Sequence, residues 1–112
     1  MKKLKTTGKP RQFETGAQRD AADDKLRMSL VPHKALNDVM MRYLQGANTY
    51  GENNWKKGMK HSVLYDSTMR HLMQDFTGDD SEDHLGAALW NIMGMIWNRN
   101  NKPEMDDRKE YE

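Results

Sequence analysis

Apolar residues recur at spacings of three and four through the middle of the chain, and there the pattern predicts three helices. The first opens at Pro32, a residue suited to a first helical turn. It carries Leu36, Val39, Met40, Tyr43, Leu44 and Ala47 on one face and fades near Tyr50-Gly51. The second runs from about Ser62 to Phe76, with Tyr65, Met69, Leu72 and Phe76 as its stripe. Gly78 ends it, in the place expected of a helix C-terminal glycine. The third begins at Asp79-Asp80-Ser81, whose oxygens can cap free backbone N–H groups and whose charge suits the helix dipole. It continues to Trp97 or Asn98 over a stripe of Leu85, Ala88, Leu89, Ile92 and Ile96. Strand alternation is almost absent, since Val63-Leu64-Tyr65 is too short to count. The expected fold class is therefore all-α: a small bundle of three main helices, spanning residues 29–98, between polar arms.

The ends read differently. Residues 1–28 are polar, with Phe13 their only aromatic. They read as a flexible tail or as a segment that folds over a site or a neighbouring subunit. Residues 99–112 form a charged C-terminal tail in which Pro103 stops any helix and the rest is expected to fray. Leu, Ile, Val and Phe together number 16 of 112 residues. Such a low share signals disorder when net charge is high. Here the net charge is +1, and ten Met and three Trp supply apolar volume. A core this small is expected to be completed by oligomerisation.

Several classes drop out. No run of about 18 apolar residues predicts a transmembrane helix. The basic start, MKKLKTTGKPRQ, lacks the apolar stretch of a secretory signal. Without cysteine there is no disulfide, thiol nucleophile or cysteine zinc site. A cytoplasmic protein is expected, and the balanced charge argues against nucleic acid as its partner.

Four constellations can carry chemistry. Asp75, Asp79, Asp80, Glu82 and Asp83 cluster where the third helix is predicted to start. Clustered carboxylates suit Mg²⁺ or Mn²⁺, which take oxygen ligands, but the same residues also cap helices. His84 and Asn91 lie seven apart on one face with Ala87 and Ala88 between. That face leaves room for a flat ligand, with Trp90 beside it to stack on a base, or else it is a close helix–helix contact. On the second helix His71 and Asp75 are four apart, as on many solvated faces; His, Asp and Glu can also combine as ligands across helices. Finally, the connector from Gly46 to His61, GANTYGENNWKKGMKH, is long for a small bundle. Its Asn54, Trp55 and Lys56 suit a base edge, a stacked ring and a phosphate, and Glu52 adds a carboxylate. No phosphate-loop or dinucleotide glycine pattern is present.

In order, Lys25-Leu26-Arg27 with Leu30 and Pro32, Gly46-Ala47, Tyr50-Gly51, Asn54-Trp55, Gly58, Arg70-His71, Gly78-Asp79, Glu82-Asp83-His84-Leu85, Ala87-Ala88 and Trp90-Asn91 resemble a family of phage and prophage proteins. That family is the dATP/dGTP diphosphohydrolase N-terminal domain, linked to the MazG-like all-α nucleotide pyrophosphohydrolases. The resemblance covers roughly residues 14–98. It implies a Mg²⁺- or Mn²⁺-dependent enzyme that splits a (deoxy)purine nucleoside triphosphate into monophosphate and pyrophosphate, and so reshapes the nucleotide pool during infection. It implies a homo-oligomer with sites near subunit interfaces. Under it, Asp79, Glu82 and Asp83 hold metal with Glu52, Asp75 or His71, and Glu82, Asp83 and His71 serve catalysis. Lys25, Arg27, Lys56 and Arg70 meet phosphates, and Asn54, Trp55, His84, Trp90 and Asn91 line a base pocket. The first helix departs from the MazG-like pattern: it offers Asp38 alone where that pattern has paired glutamates, so Glu52, Asp66 or Asp75 would supply the missing carboxylate. Two other functions fit the same residues: a non-catalytic nucleotide-binding protein, such as a phage sponge for a host-defence nucleotide signal, and a helical structural or interaction protein whose methionines adapt to a partner.

Overall fold

A computed structural model of the chain describes residues 8–112. It divides into two compact units, Met1–Pro32 and His33–Glu112.

In the first unit a short hairpin forms where strand structure was not expected. Strand β1, Arg11–Gln12, pairs antiparallel with β2, Gln18–Arg19, with Arg11 opposite Arg19 and Gln12 opposite Gln18. Gly16 sits in the turn with φ +89°, a conformation in which a Cβ is strained. The Arg11 guanidinium lies 5.7 Å from the Phe13 ring centre and donates to the Asp20 carbonyl at 3.0 Å. A two-residue pairing has too few alternating positions to leave a periodic signal, which is why the pattern missed it. A single turn of 3₁₀ helix follows at Met28–Leu30.

The second unit is a helical bundle, as the sequence predicts. Helix α1 is His33–Tyr50, α2 is His61–Phe76 and α3 is His84–Asn101. Helix α3 packs against both others, more extensively against α2. Its contact face is built from small side chains: Gly86, Ala87 and Ala88 are buried, and Leu64 of α2 fits against Gly94. Val39 of α1 is the largest fully buried side chain. The core is thus narrow, and large apolar residues such as Phe76, 91% exposed, remain at the surface.

Helix α2 ends on a hydrogen-bonded glycine turn. The Asp79 N–H donates to the Gln74 carbonyl and the Gly78 N–H to the Asp75 carbonyl, both at 3.0 Å, with Gly78 at φ +90°. Helix α3, by contrast, starts five residues later than predicted. Asp83 is its N-cap, its carboxylate accepting from the Gly86 N–H at 3.0 Å. The residues from Asp79 to Glu82 therefore lie before the helix and not in its first turn.

The C-terminal tail does not fray. Turns of 3₁₀ helix at Pro103–Met105 and Arg108–Tyr111 bracket Asp107, whose carboxylate accepts from the Ser62 N–H at 2.9 Å and from the Ser62 hydroxyl. Asp107 therefore caps the start of α2 from 45 residues away, where Lys60 supplies no side-chain cap. Asn98 does similar work for the connector, donating to the Met59 carbonyl at 2.8 Å.

Candidate functional site

The turn between α2 and α3 brings two histidines together. His71 from the middle of α2 and His84 from the first turn of α3 face each other with Nδ1 to Nδ1 at 2.9 Å. His84 is 2% exposed, and its Nε2 lies 2.7 Å from Asp79 Oδ2. Ser81 donates to the same carboxylate through its N–H and its hydroxyl. These donors, His84 first, hold the Asp79 carboxyl below its ordinary value and keep it ionised. An ionised carboxylate only accepts, so Nε2 of His84 donates to it, and the ring turns its Nδ1 toward His71.

A carboxylate and a guanidinium complete the cluster. Arg42 of α1 donates to Glu82 Oε1 at 2.8 Å and to the Asp83 carbonyl at 2.9 Å. This bond to Arg42 is the main cause that lowers the Glu82 pKa. Glu82 Oε1 in turn lies 3.9 Å from His71 Nδ1. Burial pushes the His71 imidazole below its ordinary 6.5; Glu82 opposes that shift, and His84, Arg42 and Arg70 add to it. His71 is therefore neutral at pH 7.

Two cavities meet beside this cluster. One, of about 300 Å³, is lined by Arg42, His71, Ser67, Asn91 and Trp90 among others. The second, of about 290 Å³, is bounded by Tyr43, Asn54, Trp55, Met59 and Trp90, with Glu52 at its edge. Gly46, Tyr50 and Trp90 line both. The aromatic rings here pack on one another: Tyr43 lies 5.9 Å from Trp55 and 5.8 Å from Trp90, and Trp55 lies 5.1 Å from Trp97 edge to face. Such contacts fix the ring planes and leave a rigid apolar slot beside a polar one.

The predicted residues separate accordingly. Asn54, Trp55 and Trp90 line the aromatic cavity, and Asn91 lines the polar one, where its amide donates to Ser67 at 2.9 Å. His84 is a member of the charged cluster. Lys56 sits 5.5 Å from the Trp55 ring centre. Arg70 is exposed and donates to Ser67 at 3.4 Å. Lys25 and Arg27 belong to the first unit, where Arg27 shares a cavity of about 630 Å³ with Lys9 and Arg11.

The carboxylates expected to hold Mg²⁺ do not assemble. Asp83 is the α3 cap, Asp79 is committed to His84 and Ser81, and Asp75 and Glu52 stay outside the cluster. Among the described residues, the group whose donor atoms all lie within reach of one ion is His71, Glu82 and His84. Arg42, which anchors Glu82, escaped the sequence reading because it lies on the polar side of α1. His71 and His84 stand nearly symmetrically about the helix-stopping Gly78, seven residues before and six after. That spacing was the available signal, since antiparallel helices bring such positions level.

Residues 15–108 match the family described as dATP/dGTP diphosphohydrolase, N-terminal. The chain belongs to this family. It is 30% identical over 90 residues to a dATP/dGTP diphosphohydrolase of Salmonella phage PMBT28, an alignment that covers 76% of this chain. The chain spans about a third of that relative, 31% of its length. No solved structure matches it. No helix among the described residues is long and apolar enough to cross a membrane.

Proposed function

We propose that this chain binds a purine (deoxy)nucleoside triphosphate and hydrolyses it to a monophosphate and pyrophosphate, in the cytoplasm of an infected bacterium and with a divalent metal ion. The observation that carries this reading is the pair of adjoining cavities with Trp90 as their common wall. A purine fits the aromatic slot between fixed rings, and its phosphates extend past Trp90 toward Arg42 and His71. A planar guanidinium meets phosphate oxygens with two parallel N–H groups. In the reaction a water oxygen bonds to the α phosphorus. The bond to the bridging oxygen breaks, pyrophosphate leaves with its electron pair, and the water's proton passes to the solvent. Arg42 stabilises charge on the phosphate oxygens, and the apolar rings keep bulk water from the base side.

The phage relative's name, dATP/dGTP diphosphohydrolase, supports the choice of substrate. The test is direct. Purified chain is incubated with each of the four dNTPs plus Mg²⁺, Mn²⁺ or Zn²⁺, and pyrophosphate is assayed. Release from dATP or dGTP is expected. No release from any dNTP would overturn the reading, and tight binding without release would favour a non-catalytic nucleotide-binding protein.

Self-association belongs to the same proposal. Met73 and Phe76 on α2 and Leu85 on α3 leave apolar surface in water that a second copy can bury. Light scattering on the eluting protein is expected to give at least twice the monomer mass.

A further inference from the structure

The donor set at the charged cluster is that of a transition ion rather than of Mg²⁺. Mg²⁺ takes an octahedron of oxygens and keeps most of its waters. Imidazole nitrogens suit zinc, iron, nickel and copper, and two histidines with one carboxylate form open sites for such ions. We propose that His71 Nδ1, His84 Nδ1 and Glu82 bind a single first-row transition ion, Zn²⁺ more tightly than Mn²⁺, with Mg²⁺ excluded.

Three observations carry this. First, the two ring nitrogens are 2.9 Å apart. Two ligands at that separation subtend nearly a right angle at an ion about 2.1 Å from each. All three donor atoms lie within 4.8 Å of one another. Second, His84 is already oriented as a ligand. It is buried, its Nε2 is held by Asp79, and its Nδ1 is the nitrogen turned toward His71. A carboxylate on the far nitrogen of a metal-binding histidine fixes its tautomer and makes it more basic. Third, Arg42 fixes Glu82, and Arg42 and His71 both line the polar cavity, so the site adjoins the space that Asn91 and Trp90 line.

Proton accounting is simple. In the metal-bound form both Nδ1 lone pairs turn to the ion, His84 keeps a proton on Nε2 against Asp79, and His71 carries its own on Nε2.

The location of this site rests on the hydrolase reading, but its test does not. The full chain, without nucleotide, is dialysed to equilibrium against Zn²⁺, Mn²⁺ or Mg²⁺, and bound metal is measured by elemental analysis. One Zn²⁺ per chain is expected, with Mn²⁺ weaker and Mg²⁺ at least about 100-fold weaker than Zn²⁺. His71→Ala and Glu82→Gln each lower Zn²⁺ affinity at least about 10-fold with the helical circular dichroism unchanged. Asp79→Asn, acting only through His84, lowers it about 10-fold. A His33→Ala/His61→Ala double variant leaves it unaltered. Zn²⁺ retained at full affinity in His71→Ala, or Mg²⁺ bound as tightly as Zn²⁺, overturns the proposal. Zn²⁺ binding without dNTP hydrolysis overturns the function and leaves the metal site standing. Mg²⁺-driven hydrolysis indifferent to His71→Ala does the reverse.

Discussion

The two ends of helix α3 both bury polar side chains, but for different purposes. At its C-terminal end Asn98 bonds the Met59 backbone, and nearby Asp107 bonds the Ser62 N–H. Each satisfies a main-chain group that would otherwise lack a partner in a partly dry place. At the N-terminal end the bonds run between ionisable side chains: His71 to His84, His84 to Asp79, Arg42 to Glu82. Apart from the Asp83 cap, the Ser81 N–H bond to Asp79 and one bond from Arg42 to the Asp83 carbonyl, that network does not serve the backbone. Polar groups that hold the chain together speak to the backbone. Polar groups that speak mostly to one another, beside a cavity, are free to do chemistry.

Substitutions can break this contrast, beginning with the shared middle. Leu64 is 3% exposed and packs at Gly94, so Leu64→Ala is expected to cost about 2–5 kcal/mol in urea unfolding, with both ends affected. Next comes the structural end. Gly58 has φ +91°, and a Cβ there would meet Lys102 Cδ at 2.9 Å and Met105 Sδ at 3.2 Å. Gly58→Ala is expected to cost about 1–3 kcal/mol. Gly78→Ala carries the strained φ alone, with nothing within 4 Å, and is expected to cost about 1 kcal/mol.

The chemical end should respond in the opposite sense. Arg42→Met is expected to change stability by less than about 1 kcal/mol. In isothermal titration it should weaken dATP or dGTP binding at least about 10-fold. A large stability loss with unaltered nucleotide affinity would place Arg42 among the structural groups instead.

The smallest expected effect is a pH dependence. The Ser62 hydroxyl and N–H hold the Asp107 carboxyl below its ordinary 3.8. Its folded value is therefore lower than its unfolded one. The stability it contributes is full above the unfolded value and fades as pH falls through the folded value. Asp107→Asn should flatten that acid limb of the thermal melting curve, while Asp79→Asn tests the same sign at the chemical end.

The contrast also explains what the sequence could show. Helices α1 and α2 were legible because their apolar stripes repeat at the helical period. The start of α3 was misplaced because Asp79, Asp80 and Ser81 are the residue types of an N-cap, while the Asp83 carboxylate is the one that meets a free N–H. The aromatic cavity was legible in Asn54, Trp55 and Trp90, whose side chains have few uses on a loop or beside a small-residue face other than packing and stacking. The cap by Asp107 was not, because a tertiary cap leaves no periodic or local mark. The histidine pair lay between these cases: both residues were singled out, but assigning them to one site required knowing where the turn falls.

The tight glycine turn after α2 has a kinetic consequence. His71, Glu82, His84 and Asp79 all lie within fourteen residues, so one helical hairpin closes the whole donor set. Loops of that length close in well under a microsecond, far sooner than distant contacts form. Arg42 is the exception, reaching Glu82 across 40 residues. In folding, the hairpin is thus expected to present the proposed donor set first, and the guanidinium arrives when α1 docks. An ion captured early would then template the order in which the rest of the bundle assembles.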